Sequence, residues 1–146
     1  MTAKGHGMNS VRPAVRSELL LVLLLLYGAA SLFHYAHNAE FLGDYPNLPV
    51  WLSPALIYGA WLGVTAVGVV GYLLHRRGYP LVGLAVLGVY GALGLDGLGH
   101  YGLAPYSGHT FTMNFSIMVE AATAVVLLTA VAGLMLRHLR TGRLGK

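Results

Sequence analysis

Two polar stretches interrupt an otherwise apolar chain, and they hold residue types that bind metals or move protons. The first runs from His34 to Glu40 as His-Tyr-Ala-His-Asn-Ala-Glu, and the second runs from Asp96 to His109. A polar stripe follows the second stretch at steps of three and four residues, the spacing of one helix face. The members of the stripe are His109, Met113, Ser116, Glu120 and Thr123, and they are expected to face the interior of the bundle.

Transition-metal binding is the chemistry that these residue types favour. His34 and Asn38 are four residues apart, as are Asp96 and His100, so each pair would share a helix face. Imidazole and carboxylate groups suit copper, zinc or iron. The predicted ligands are His34, His37, Asp96, His100, His109 and Glu120, with Asn38, Met113 and Asn114 as further candidates. In an enzyme, Glu120 would be the catalytic general base.

The composition places these residues in a membrane protein. The chain has 146 residues, of which 56% are hydrophobic and 10% are charged, and its mean hydropathy is +0.66. It has no cysteine, which excludes disulfides, thiolate zinc sites, iron–sulfur clusters and cysteine nucleophiles.

The apolar runs predict an all-α integral membrane protein, one domain formed by a four-helix up-down-up-down bundle. The helices are expected at about 17–42, 53–75, 80–101 and 110–139, each long enough to cross a bilayer at 1.5 Å per residue. Residues 1–16 are expected to form a cytoplasmic tail, since Arg12-Pro13 argues against an early helix. A rival interpretation of the first run is a signal peptide, with a basic start and a leucine core.

Three basic clusters set the expected orientation. They lie at the amino terminus, at Arg76-Arg77 and after residue 137, each at the end of an apolar run. The positive-inside rule then predicts that both termini are cytoplasmic, which places the two polar stretches in the outer half of a membrane, expected to be the bacterial cytoplasmic membrane. The expected partners are the lipid bilayer and either a larger membrane complex or a second copy. Nucleic acid is excluded because no continuous basic face exists.

A carboxylate at mid-membrane depth costs about 3 kcal/mol, so Asp96 and Glu120 need partners. Each would bind a metal, pair with a histidinium or stay protonated. A metal is the preferred interpretation, and Met113 favours copper because its thioether is a soft donor. The Glu-x-x-His motif of di-iron bundles is absent. The spacing Asp96-x3-His100 followed by His109 resembles the copper site in the C subunit of particulate methane and ammonia monooxygenases. The resemblance covers these three residues, and membership of that family is not inferred from it.

Three alternatives remain from the residues alone. In the first, two of the four histidines in the outer half serve as axial ligands of a haem. In the second, the acids and histidines form a metal-free site that carries protons or a lipid-like substrate in a transporter or an isomerase. In the third, the chain is an accessory subunit of a membrane complex.

Overall fold

The computed structural model describes the backbone of residues 11–143 and the side chains of residues 18–141. All regular structure in that part of the chain is helical. The α-helices are α1 (Val11–Glu40), α2 (Pro54–Arg76), α3 (Pro80–Leu93), α4 (His100–Leu103) and α5 (Phe111–Arg143). Short 3-10 turns cover Leu42–Asp44, Asp96–Gly99 and Tyr106–Gly108. Most of the predicted tail, residues 1–10, lies outside the described residues.

Four segments are long and apolar enough to span a membrane, which confirms the prediction of four such helices and supports the interpretation as a membrane protein. They are Glu18–Glu40, Pro54–Arg76, Pro80–Leu103 and Phe111–Thr141. Large apolar side chains project outward from every span, among them Leu25, Leu62, Val89 and Val126. Because this surface would be costly to expose to water, it suits the acyl chains of a bilayer.

Two helix boundaries differ from the sequence prediction. Helix α1 begins at Val11, because Pro13 lies in its first turn, where the missing N–H has no intrahelical acceptor to lose. Helix α3 ends at Leu93, and a 3-10 turn interrupts the third span before α4 begins at His100. Four glycines between residues 91 and 99 favour this break, since each costs about 1 kcal/mol in a helix interior.

The four spans form a bundle in which α1 contacts α2 and α5, and α3 contacts the same two helices. We call the end that holds the 41–53 and 104–110 connections the polar end, and the end that holds the 77–79 turn and the last turn of α5 the basic end. A buried apolar core fills the half of the bundle toward the basic end. Its members are Leu20, Leu24, Tyr27, Leu84, Leu87, Tyr90, Ala124, Leu127 and Val131.

Glycines bring tyrosine rings into this core. A Cβ on Gly68 would lie 2.7 Å from the Tyr90 ring, and a Cβ on Gly94 would lie 2.5 Å from the Tyr27 ring. The Tyr27 hydroxyl donates a hydrogen bond to the Tyr90 carbonyl at 3.2 Å, so the two rings interlock α1 with α3. The contact between the two tyrosines lies next to the buried polar residues, since Tyr27 is about one helical turn before the buried Ser31.

Candidate functional site

The buried polar side chains of the bundle gather at the polar end. They are Ser31, His34, His100, His109, Asn114, Ser116 and Glu120. Three elements supply them: α1, the start of α4 and the first three turns of α5 with the loop before it. The prediction that the stripe on α5 faces the bundle interior is therefore confirmed for its members from His109 to Glu120, while Thr123 is half-buried.

His34 and Glu120 form the deepest pair in this cluster. The Nε2 atom of His34 lies 3.7 Å from Oε2 of Glu120. The two residues are only 2% and 1% exposed, so neither side chain is hydrated by bulk solvent. Glu120 Oε2 has no hydrogen-bond partner among the described residues. Any charge on one of the two side chains must therefore be balanced by the other.

Ser116 fixes which nitrogen of His34 carries a proton. The Ser116 hydroxyl donates to the Met113 carbonyl at 2.9 Å, which uses its single hydrogen. The Nδ1 atom of His34 lies 3.2 Å from the same hydroxyl oxygen and is therefore the donor in that contact. Nε2 is left to face Glu120, so the serine orients the imidazole toward the acid.

A single shared proton gives the His34–Glu120 pair a low-cost charge state. Either the carboxylic acid faces a neutral imidazole, or a carboxylate faces an imidazolium, and both arrangements have no net charge. Losing that proton would leave an unpaired charge in apolar surroundings, which costs several kcal/mol. One bound proton, on either Nε2 of His34 or Oε2 of Glu120, therefore keeps the pair neutral.

Gly97 explains how the 3-10 turn covers this pair. A Cβ at Gly97 would lie 3.1 Å from Glu120 Oε2 and 3.3 Å from His34 Nε2. Any larger residue would press on both facing atoms, because contacts this short are tighter than ordinary van der Waals packing. The break in the third span thus places the backbone of Gly97 next to Glu120 Oε2 and His34 Nε2.

Three histidine rings lead from Glu120 toward the loops of the polar end. The ring centroids of His34 and His100 are 5.4 Å apart, and those of His100 and His109 are 6.2 Å apart. The Asn38 amide donates to His100 Nε2 at 3.0 Å, and His109 Nδ1 donates to the Pro105 carbonyl at 3.1 Å. His100 Nδ1 and His109 Nε2 are buried without hydrogen-bond partners among the described residues. We call His34, His100 and His109 the histidine file.

Tyr45 joins the edge of the cluster. Its hydroxyl lies 2.9 Å from Nδ1 of His37, and its ring centroid lies 5.0 Å from that of His100. Burial raises the pKa of Tyr45, so the phenol stays protonated and can donate to His37. One ring nitrogen of His37, a predicted ligand, is therefore engaged in a tyrosine contact.

A cavity of about 390 Å³ opens beside the histidine file. One wall is polar and the other is apolar. The polar wall holds His34, Tyr35, Asn38, Asp96 and His100, and the apolar wall holds Leu48, Leu52, Leu56, Ile57 and Ala60. Its size is within the range of small-molecule binding sites.

Two further predicted site residues, Asn114 and Met113, make hydrogen bonds that hold the fold together. Asn114 accepts from the Tyr101 hydroxyl at 2.9 Å and donates to the Tyr106 and His109 carbonyls, which pins the 104–110 connection to α5. The Met113 thioether accepts from the Thr110 backbone N–H at 3.4 Å. Neither side chain lines the cavity.

The predicted metal ligands do not gather around one point. Asp96 is exposed on the 3-10 turn, so it does not share an α-helical face with His100. Within the described residues, no group of three or more histidine, aspartate or glutamate side chains could hold a metal ion. His34 and Glu120 approach each other as a pair, without the third ligand that a protein zinc site normally has.

Sequence reasoning missed three residues of the cluster. Ser31 is buried three residues before His34 on the same face, a spacing that could have revealed it. Tyr45 has the sequence features of an interfacial aromatic, yet it folds inward to His37. Gly97 contributes no side chain at all, so only the three-dimensional contact identifies it.

Comparison with known proteins finds no matching family model, no matching curated protein and no matching solved structure. The function must therefore be argued from the cluster itself.

Proposed function

We propose that the protein binds a small amphipathic organic molecule in the cavity at the polar end and exchanges a proton with it. The observation that carries this proposal is the buried His34–Glu120 pair, with His34 also lining a cavity whose opposite wall is apolar. A molecule with a hydrogen-bonding head and a short hydrocarbon body matches both walls. Such a molecule would enter from the outer half of the bilayer.

The roles of the residues follow from their positions. His34 and His100 line the cavity and would exchange the proton with the ligand. Glu120 lies behind His34 and would store or return that proton. Asn38 holds His100, and Ser116 holds His34, so both act as positioning residues. Asp96 would accept a hydrogen bond from the head of the ligand.

The core favours local proton exchange over transport across the membrane. Beyond Glu120, the described residues of the buried core are aliphatic apart from two tyrosines, Tyr27 and Tyr90. The hydroxyl of Tyr27 is committed to a backbone carbonyl. A proton on Glu120 therefore has a route along the histidine file to the polar end and no comparable route to the basic end. This arrangement favours an isomerase-like or binding role over a transporter.

The orientation belongs to the same proposal. Arg76 and Arg77 lie at the basic end, and Arg137 near the end of α5 lines a cavity with His75 at the end of α2. The positive-inside rule then places the basic end in the cytoplasm and the polar end outside, in an up-down-up-down bundle of the bacterial cytoplasmic membrane.

Filling the cavity is expected to abolish binding of an amphipathic probe. Gly99 lines the cavity and has no atom within 4 Å of the position where a Cβ would stand, so Gly99→Leu should fill the space without distorting the fold. We expect at least about a tenfold loss of affinity for para-butylphenol, measured by calorimetry in detergent, because each 1.4 kcal/mol of lost contact is a factor of ten.

Gly102→Leu is the matched control, since Gly102 has equally open surroundings and does not line the cavity. It should bind the probe as the wild type does. Equal binding by wild type and Gly99→Leu, after subtraction of partition into the micelle, would contradict a ligand site in this cavity.

A transition metal, copper, zinc or iron, is the second candidate. The observation in its favour is that His100 Nδ1, His109 Nε2 and Glu120 Oε2 are buried without partners among the described residues. These side chains would have to move together to share one ion, since they do not form a ligand group in this structure. Elemental analysis of the purified protein separates the two candidates. Stoichiometric metal that is lost in His100→Ala and retained in His75→Ala would favour the metal, and a Soret band would indicate haem.

A further inference from the structure

Two further cavities meet at the basic end, far from the His34–Glu120 pair. One, of about 220 Å³, lies between the start of α3 and the end of α5 and is lined by His75, Arg137 and His138 among others. The second, of about 250 Å³, lies between α1 and α5. Arg137 and Leu134 line both cavities, so the two spaces adjoin on either side of these side chains.

The first cavity has the chemistry of an anion site. Its lining includes Arg137, His75 and His138, and none of the described residues that line it is an acid. The Nδ1 atom of His75 is buried without a hydrogen-bond partner among the described residues. An arginine with neighbouring N–H donors is a recurrent arrangement for binding phosphate oxygens.

The second cavity has the chemistry of a hydrocarbon groove. Leu19, Leu20 and Leu23 of α1 form one side, and Ala130 and Gly133 of α5 form the other. A Cβ at Gly133 would have no atom within 4 Å, so this part of the groove is open. An acyl chain would fit there, because the walls are apolar and the groove faces the bilayer.

We infer that the two cavities together bind one anionic phospholipid, with its phosphate between Arg137 and His75 and an acyl chain along Gly133. The shared lining by Arg137 and Leu134 connects the headgroup position to the chain position. The only acid near the groove, Glu18, is exposed and precedes Leu19, and no ion pair joins it to Arg137 among the described residues. Anionic headgroups are concentrated at cytoplasmic membrane surfaces, where basic pockets between helices bind them.

Lipid binding to the delipidated full-length protein tests this inference. Native mass spectrometry in detergent would count bound phosphatidylglycerol and phosphatidylcholine with identical acyl chains. We expect tighter binding of phosphatidylglycerol, weakened about fivefold by Arg137→Gln, since one basic residue near an anionic lipid contributes about this factor. Gly133→Leu should fill the groove and remove most of the binding.

Two controls keep the test specific. Arg140→Gln removes an equal charge from the same helix outside both cavities, and Gly63→Leu adds an equal side chain at another open glycine. Both should bind phosphatidylglycerol as the wild type does. Equal binding of the two lipids, or equal weakening by Arg137→Gln and Arg140→Gln, would overturn the inference. Displacement of the lipid by inorganic phosphate together with full binding by Gly133→Leu would reassign the site to a free anion.

Discussion

Replacing His34 by leucine is expected to lower the free energy of unfolding by about 3 kcal/mol, because removing one partner of a buried pair leaves the other without compensation. Glu120 would then face an apolar side chain, and Ser116 would lose its imidazole contact. Glu120→Leu should cost less, about 1–2 kcal/mol, since His34 can remain neutral on its serine contact. Equilibrium unfolding in mixed micelles measures both values.

The double variant decides whether the two residues act as a pair. His34→Leu with Glu120→Leu should be less destabilised than the sum of the single variants by about 1–3 kcal/mol, because neither polar group is left alone. The exposed His138→Leu, at the basic end, should change stability by less than about 0.5 kcal/mol. Strictly additive effects of the two single variants would show that the residues do not share a proton.

The second large effect is expected at Gly83, where two helix backbones meet. A Cβ there would overlap the backbone nitrogen of His75 and would lie 2.8 Å from the Gly71 carbonyl. Backbone cannot move aside as a side chain can, so Gly83→Ala must push α3 away from α2. We expect a loss of about 3 kcal/mol in the same unfolding assay.

Gly63→Ala provides the matched comparison for Gly83→Ala. Gly63 is also a helix glycine, but a Cβ there would meet nothing within 4 Å. Alanine should be neutral or slightly stabilising at this position, because it lowers the conformational freedom of the unfolded chain. A loss at Gly63 as large as the loss at Gly83 would contradict the close approach of α2 and α3.

The four spans and the buried stripe could be predicted from the sequence because both depend on local periodicity. Apolar run length predicts a span, and the three-and-four spacing from His109 to Glu120 predicts one buried face. The start of helix α1 at Val11 is harder to predict from the sequence. A proline near the amino terminus of an apolar run is compatible with either a tail or the first turn of a helix.

The internal geometry of the site could not be predicted in the same way. The third span breaks at Leu93, so the four-residue spacing of Asp96 and His100 no longer corresponds to one α-helical turn, and Asp96 is exposed. The approach of Tyr45 to His37, and of Gly97 to Glu120, depends on packing between segments. A single sequence carries no signal for such contacts when the residues involved are a tyrosine in a loop and a glycine.

His34 and Glu120 are expected to hold one exchangeable proton between them at neutral pH. Potentiometric titration of wild type and Glu120→Gln in the same detergent, from neutral to alkaline pH, tests it most directly. Wild type should release about one proton per molecule more than the variant, because glutamine leaves only the neutral imidazole of His34. Superimposable titration curves would mean that Glu120 is already ionised without a shared proton, and would contradict the account.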